Sequence, residues 1–146
     1  MPALEINTKA PDFKLLDQDS VEHTLAQYLG QNILIYFYPK DNTPGCSKEA
    51  CGVRDNYSKF DKLGLKVFGV SHDTPESHKK FVEKYALPFT LLSDPSKEMI
   101  KSYGAGGMMT RRVSYLIGKD GTVLKYYPKV DPTTHAEEIL NDIKNI

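Results

Sequence analysis

A buried strand that hands the chain straight to a capped helix is the tightest constraint in this sequence. Residues 32–38, NILIYFY, make an apolar run of buried-strand length. After a short polar loop, a helical pattern begins at Thr43-Pro44. Proline fits the first helical position, where an N–H would have no partner, and a threonine hydroxyl at the N-cap satisfies an orphan amide. With Thr43 as the N-cap, Cys46 is the third helical residue. Free N–H groups and the helix dipole favour an anion there. A helix terminus stabilises such a charge by only about 0.3–2 kcal/mol. A reactive thiolate at Cys46 therefore needs a cation from elsewhere in the chain.

Helical phase separates this cysteine from the second one. Cys46, Ala50, Val53, Tyr57 and Phe60 follow the spacing of one apolar face. Cys51 falls with Arg54, Asp55, Ser58 and Lys62 on the polar side. Helical Cα atoms five residues apart lie roughly 8–9 Å from each other, beyond the ~7 Å that a disulfide spans. The two sulfurs can pair only if this helix partly unwinds. Two unreactive, half-buried thiols are the alternative, and the Thr-Pro-Gly-Cys cap argues against it.

The remaining chain alternates strands and helices. Phe13, Leu15, Val21, His23 and Leu25 alternate around a polar turn and read as a hairpin, and residues 25–30 read as a helical turn closed by Gly30. Strand 32–38 and helix 44–63 follow, with Gly64 as the stop. Next come strand 65–71, a helix opened by Thr74-Pro75 and running to Tyr85, strand 89–92 and a helix over 95–102 capped by Ser93-Asp94. Gly104 to Gly107 reads as a mobile loop, and Met108 and Met109 as either the rim of an apolar site or ordinary packing and exposure. Strands 112–117 and 122–127 are joined by Lys119-Asp120-Gly121, a hairpin signal. An amphipathic helix over 132–146 ends the chain. This order predicts an α/β domain with a mixed central sheet flanked by helices.

Composition narrows the function. A chain of 146 residues reads as a single domain, 1–146. Nineteen basic and nineteen acidic residues cancel, which argues against electrostatic binding of nucleic acid or of a membrane surface. No apolar run has the length of a transmembrane helix, and no secretory hydrophobic segment opens the chain. A cytoplasmic protein is the expectation. Two cysteines are too few for a disulfide scaffold and point instead to redox or metal chemistry. His23, His72, His78 and His135 are scattered, and Cys46 and Cys51 have no matching second ligand pair. Zinc binding is thus disfavoured.

The string FYPKDNTPGCSKEACGVRD, with Pro39-x-x-x-Thr43-x-x-Cys46 inside it, resembles the active-site signature of the peroxiredoxins. It is most similar to the subfamily of bacterioferritin-comigratory protein and peroxiredoxin Q. Ser47 and Val53 depart mildly from that pattern, where threonine and phenylalanine are common. The resemblance implies a thioredoxin-like fold with an N-terminal hairpin extension. It also implies a peroxidatic Cys46, a resolving Cys51 and an intrachain disulfide between them. Hydrogen peroxide and alkyl hydroperoxides would be the substrates, and thioredoxin or a glutaredoxin-like protein the reductant. No metal, haem or flavin cofactor is required. A monomer and a weak homodimer both fit, since no strongly apolar surface stripe stands out.

The same resemblance supplies the cation. Arg112 opens Arg-Val-Ser-Tyr-Leu-Ile117, which is similar to the family segment whose arginine contacts the thiolate. Arg111 is the competing register. A guanidinium suits the task because it stays charged and donates in a fixed fork. Thr43 can donate as well as accept through its hydroxyl, and Pro39 has a rigid ring and no N–H with which to shape the loop. Glu49, one turn after Cys46, either orients Arg112 or the peroxide network, or is a solvated helix carboxylate. A non-catalytic redox switch built on the same cysteines is the rival reading, and sustained turnover of peroxide separates the two.

Overall fold

The computed structural model describes residues 2–146. Seven strands form one mixed sheet: β1 (Lys14–Asp17), β2 (Glu22–Thr24), β3 (Asn32–Phe37), β4 (Leu65–Ser71), β5 (Thr90–Ser93), β6 (Val113–Ile117) and β7 (Val123–Tyr127). Their spatial order is β2-β1-β5-β4-β3-β6-β7. β3, β4 and β5 are parallel to their neighbours in that group, and β1 and β2 continue the sheet antiparallel beyond β5. β6 runs antiparallel to β3, and β7 antiparallel to β6.

The pleat of β3 divides the core. Leu34, Tyr36 and Tyr38 face one side, where α1 (Pro44–Lys62), α2 (Pro75–Tyr85) and α4 (His135–Lys144) pack with Cys46, Ala50, Val53, Phe60, Phe81 and Ile139. Ile33, Ile35 and Phe37 face the other side, against Phe13, Leu25 and residues of α3 (Glu98–Ser102). Successive strand residues point to opposite faces, so a run apolar at every position fits a strand covered on both sides. No helix among the described residues is long and apolar enough to cross a membrane.

The predicted elements are present with shifted ends. The expected helix over 95–102 begins only at Glu98. An Asp94 turn takes up the residues before it: the Lys97 N–H donates to the Asp94 carbonyl, and Lys97 is left-handed at φ 63°. The Asp94 carboxylate then receives the N–H of Ile100 at 2.8 Å. The last helix starts at His135 rather than Pro132, because Asp131 organises a turn through Thr133 and Thr134. The loop after α3 is anchored at its start. Gly104, at φ +69°, lies against the backbone of Pro2 and Ala3 where a side chain would collide. The Arg111 N–H donates to the Ala105 carbonyl at 2.8 Å, and its guanidinium to the Gly104 carbonyl. Met108 and Met109 stand exposed beyond that anchor.

Candidate active site

The site forms where the carboxyl end of β3 meets the amino end of β6. Phe37 pairs with Val113, so the residue after β3 and the residue before β6 emerge at the same sheet edge. Open α/β sheets place their sites at the carboxyl ends of parallel strands. Here α1 leaves that end, and its first turn comes to lie over Arg112.

Cys46 is buried, at 2 % exposure, and both cysteines are free thiols. Arg112 aims its Nη2 at the Cys46 sulfur from 3.3 Å and its Nη1 at Glu49 Oε1 from 2.8 Å. One guanidinium thus bridges the thiol and a carboxylate on successive turns of α1. Strand parity accounts for the choice of arginine. Arg112 shares a face with Ser114 and Leu116, which turn toward α4 and the α1-side core. Arg111 shares the parity of Val113 and Tyr115 on the opposite face.

Glu49 is not solvated: it is 2 % exposed, and its Oε2 has no hydrogen-bond partner among the described residues. Burial pushes its carboxyl up to about 7 despite the opposing pull of Arg112. Burial also works against the charge on Arg112, but its contacts with Cys46 and Glu49 hold it above the usual arginine value. Tyr36 packs in the same core cluster as Cys46 and Ala50; its hydroxyl has no partner among the described residues and is raised well above the ordinary tyrosine range by burial and then by Glu49.

Thr43 occupies the N-cap position with extended backbone, but its hydroxyl does not cap α1. It donates instead to the Lys40 carbonyl at 2.9 Å. The equivalent Thr74-Pro75 start of α2 does cap, with the Thr74 hydroxyl accepting from the Ser77 N–H at 3.2 Å. Within α1, Pro44 has no N–H and Ser47 donates to the Thr43 carbonyl at 2.8 Å. The amides of Gly45 and Cys46 are then the ones with no partner inside the helix. The expected hydroxyl cap is thus replaced by free amides in the first turn. Pro39 is half-buried in the loop between β3 and α1.

Cys51 lies one turn and a half along α1 from Cys46 and is half-buried. It borders a surface depression of about 470 Å³ that Pro44, Ser47, Lys48 and Tyr85 also line. The structure therefore brings Cys46, Glu49 and Arg112 together and leaves Cys51 on the outer side of the same helix.

Sequence reasoning missed a second polar cluster behind the loop. Asp41 is buried within the 39–43 segment, and its carboxylate meets Tyr38, Ser77 and His78. Asp41 stood inside the signature string, but nothing in the string tied it to a histidine 37 positions later.

Residues 6–126 match the AhpC/TSA family. The chloroplastic peroxiredoxin Q of Gentiana triflora is 42% identical over 140 residues, covering 92% of this chain and 64% of that protein. The chain thus spans under two thirds of that plant relative's length. The bcp peroxiredoxin of Haemophilus influenzae is 39% identical, with all of both chains covered. Among solved structures, the Xanthomonas campestris bacterioferritin comigratory protein, described for its alkyl peroxide reduction activity, superposes with a TM-score of 0.88. It is 30% identical, covering 99% of this chain and 98% of that one.

Proposed function

The chain belongs to the AhpC/TSA family, and on that premise we propose that it is a thiol peroxidase acting on hydrogen peroxide and alkyl hydroperoxides. The observation that carries the reading is the 3.3 Å approach of Arg112 to the Cys46 sulfur at the first turn of a helix. A thiolate is the nucleophile in such chemistry, and this position supplies a fixed cation and free amides to it.

The Cys46 thiolate attacks the distal oxygen of the hydroperoxide. The S–O bond forms as the O–O bond breaks, and the sulfur is oxidised by two electrons to sulfenic acid. The departing alkoxide or hydroxide takes up a proton and leaves as alcohol or water. Arg112 and the first-turn amides stabilise charge on the sulfur and on the departing oxygen. The Thr43 hydroxyl serves the same charge after turning from the Lys40 carbonyl, and Pro39 shapes the loop that shields the sulfur.

Cys51 then attacks the sulfenic sulfur, and water leaves as the intrachain disulfide forms. This step needs the first turns of α1 to unwind, since the helix holds the two residues too far apart. A dithiol of the thioredoxin or glutaredoxin class returns both thiols by exchange and is itself oxidised to a disulfide. The scheme uses only the chain's own residues, the peroxide and the reductant.

The test is peroxide consumption by the reduced protein with thioredoxin, its reductase and NADPH, beside Cys46→Ser. NADPH oxidation that continues in wild type and vanishes in the variant supports the proposal. A single stoichiometric oxidation, unchanged when dithiothreitol replaces thioredoxin, overturns it in favour of a redox switch.

A further inference from the structure

The loop that delivers α1 to the sheet edge is tied down on the side away from Arg112. Asp41 sits in that loop and is buried. Its Oδ1 accepts from the Tyr38 hydroxyl at 2.5 Å. Its Oδ2 accepts from the Ser77 hydroxyl at 2.9 Å and meets His78 Nδ1 at 2.7 Å. The Asp41 N–H donates to Asp73 Oδ2 at 2.9 Å, and that oxygen also receives the Ser71 hydroxyl at 2.6 Å. His78, fully buried, places its Nε2 3.0 Å from the Leu92 carbonyl. The two ring nitrogens thus face the Asp41 carboxylate on one side and the Leu92 carbonyl on the other. The network therefore joins the ends of β3, β4 and β5 to the first turn of α2 through the carboxylate and the N–H of one loop residue, Asp41.

Asp41, Asp73 and His78 have donor atoms within 4.8 Å of one another, a spacing that would suit a metal ion. The ring nitrogens of His78 and the carboxylate oxygens that approach them are already engaged by groups of the protein. The cluster is satisfied from within, as buried polar groups in folded proteins are. A network of this kind specifies one arrangement of the segments it joins.

We propose that Asp41 and His78 are positioning residues for the peroxidase reaction: they fix the 39–43 loop so that the α1 first turn meets Arg112, and they set the upstream limit of the unwinding that lets Cys46 reach Cys51. This rests on the peroxidase reading above. Cys46 must satisfy two opposed demands. It has to sit against Arg112 for the attack on peroxide and leave that place for the disulfide. Arg112 holds the folded arrangement from the β6 side, and the Asp41 network holds the loop from the α2 side. With the loop fixed, unwinding is confined to the helix that follows Thr43. With the loop loose, the sulfur spends less time in register with the guanidinium, and the helix start opens more readily.

Loosening the loop should then slow the first step and leave the second unslowed. In Asp41→Asn an amide N–H faces donors, and in His78→Gln the side chain reaches toward Leu92 but abandons Asp41. Each should slow sulfenic acid formation about tenfold, since small misplacements of a reacting group have effects of this order or larger. Neither should slow disulfide formation. His78→Asn keeps a donor where Nδ1 stood and should restore the first step to within about threefold of wild type, in keeping with retention of the charge-assisted bond.

Sulfenic acid formation is read by competition with horseradish peroxidase for hydrogen peroxide. Disulfide formation is read by rapid quench with thiol alkylation and mass analysis. Phe13→Leu, in the core on the opposite face of the sheet, serves as a destabilised comparison at similar Tm. A slower first step, an unslowed second step and rescue by His78→Asn support the proposal. Variants that retain the wild-type first step, or that change both steps as Phe13→Leu does, overturn it. A wild-type protein that consumes no peroxide through Cys46 sinks the peroxidase reading and this inference together. Active wild type beside variants that behave like Phe13→Leu sinks only the inference. Should Asp41→Asn fail to fold, the contrast between His78→Gln and His78→Asn decides alone.

Discussion

Arg112 Nη2 stands 3.3 Å from the sulfur of Cys46, a residue 66 positions away, while the other arm of the same guanidinium binds Glu49. The fork geometry fixes the direction of the arm that reaches the sulfur, because the plane is held at both ends. Lysine could supply the charge but not both bonds. Arg112→Lys should therefore lower the rate constant for peroxide attack by about 10²-fold, and Arg112→Met by about 10³-fold, the range seen when one donor to a developing anion is removed. Stopped-flow competition for hydrogen peroxide checks this. Arg111→Lys should stay within about threefold of wild type, since the Arg111 guanidinium holds the Gly104 carbonyl and sits on the other strand parity.

Gly45 gives a subtler test of the same contact. A Cβ built on it would lie 3.0 Å from Arg112 Nη2. Gly45→Ala should push the guanidinium tip off the sulfur and slow peroxide attack by about tenfold, as displacements under an ångström can. Alanine is the better helix former by up to about 1 kcal/mol, so Tm should hold or rise. Loss of activity with retained stability would be the signature of steric displacement. Unchanged attack kinetics would mean that the arginine relaxes without leaving Cys46.

Much of this was legible in the chain because local signals agreed with one another. The apolar run before Thr43-Pro44 placed β3 and α1, and helical phase put Cys46 inside and Cys51 outward. The meeting of Arg112 and Cys46 was not local. It follows from the antiparallel register of β6 on β3, which no spacing along the chain encodes. Parity alone would have separated Arg112 from Arg111 once α1 was known to cover the Ser114 and Leu116 face. Thr43 misled for a related reason: the motif fixes the cap position, but tertiary context turned its hydroxyl toward Lys40. The Asp41–His78 pair stayed hidden because both residues look like surface polar groups until β4 and β5 close around them.

Glu49 should make stability depend on pH with a definite sign. Burial raises its carboxyl from 4.5 to about 7 in the folded protein. Between those values the unfolded chain has released the proton and the folded chain retains it, so stability falls as pH rises through that window. The whole shift corresponds to about 3 kcal/mol, present below pH ~4.5 and lost by pH ~7. Urea unfolding at intervals from pH 4.5 to 8 should show this decline in wild type and a flatter profile in Glu49→Gln. Parallel profiles would mean that the carboxylate keeps an ordinary affinity for its proton in the fold.

Gly52 should govern the step that joins the cysteines. It lies in α1 immediately after Cys51, and a Cβ there would meet the Ala136 Cβ at 3.8 Å and the Pro132 carbonyl at 3.9 Å, both ordinary contacts. Gly52→Ala therefore adds helix propensity, up to about 1 kcal/mol, without a clash. That stabilisation favours the folded helix over the unwound state that the disulfide requires. Peroxide attack should be unchanged, because Cys46 and Arg112 are untouched. Disulfide formation should slow by up to about fivefold, the factor that ~1 kcal/mol gives, and sulfenic acid should accumulate between the two steps. Trapping with dimedone in a rapid-quench series would reveal that accumulation. With Cys51→Ser the same adduct should form without decay, which fixes the upper limit of the signal. A disulfide that forms as fast in Gly52→Ala as in wild type would place the unwinding wholly on the amino side of residue 51, within the turn that Pro44 begins.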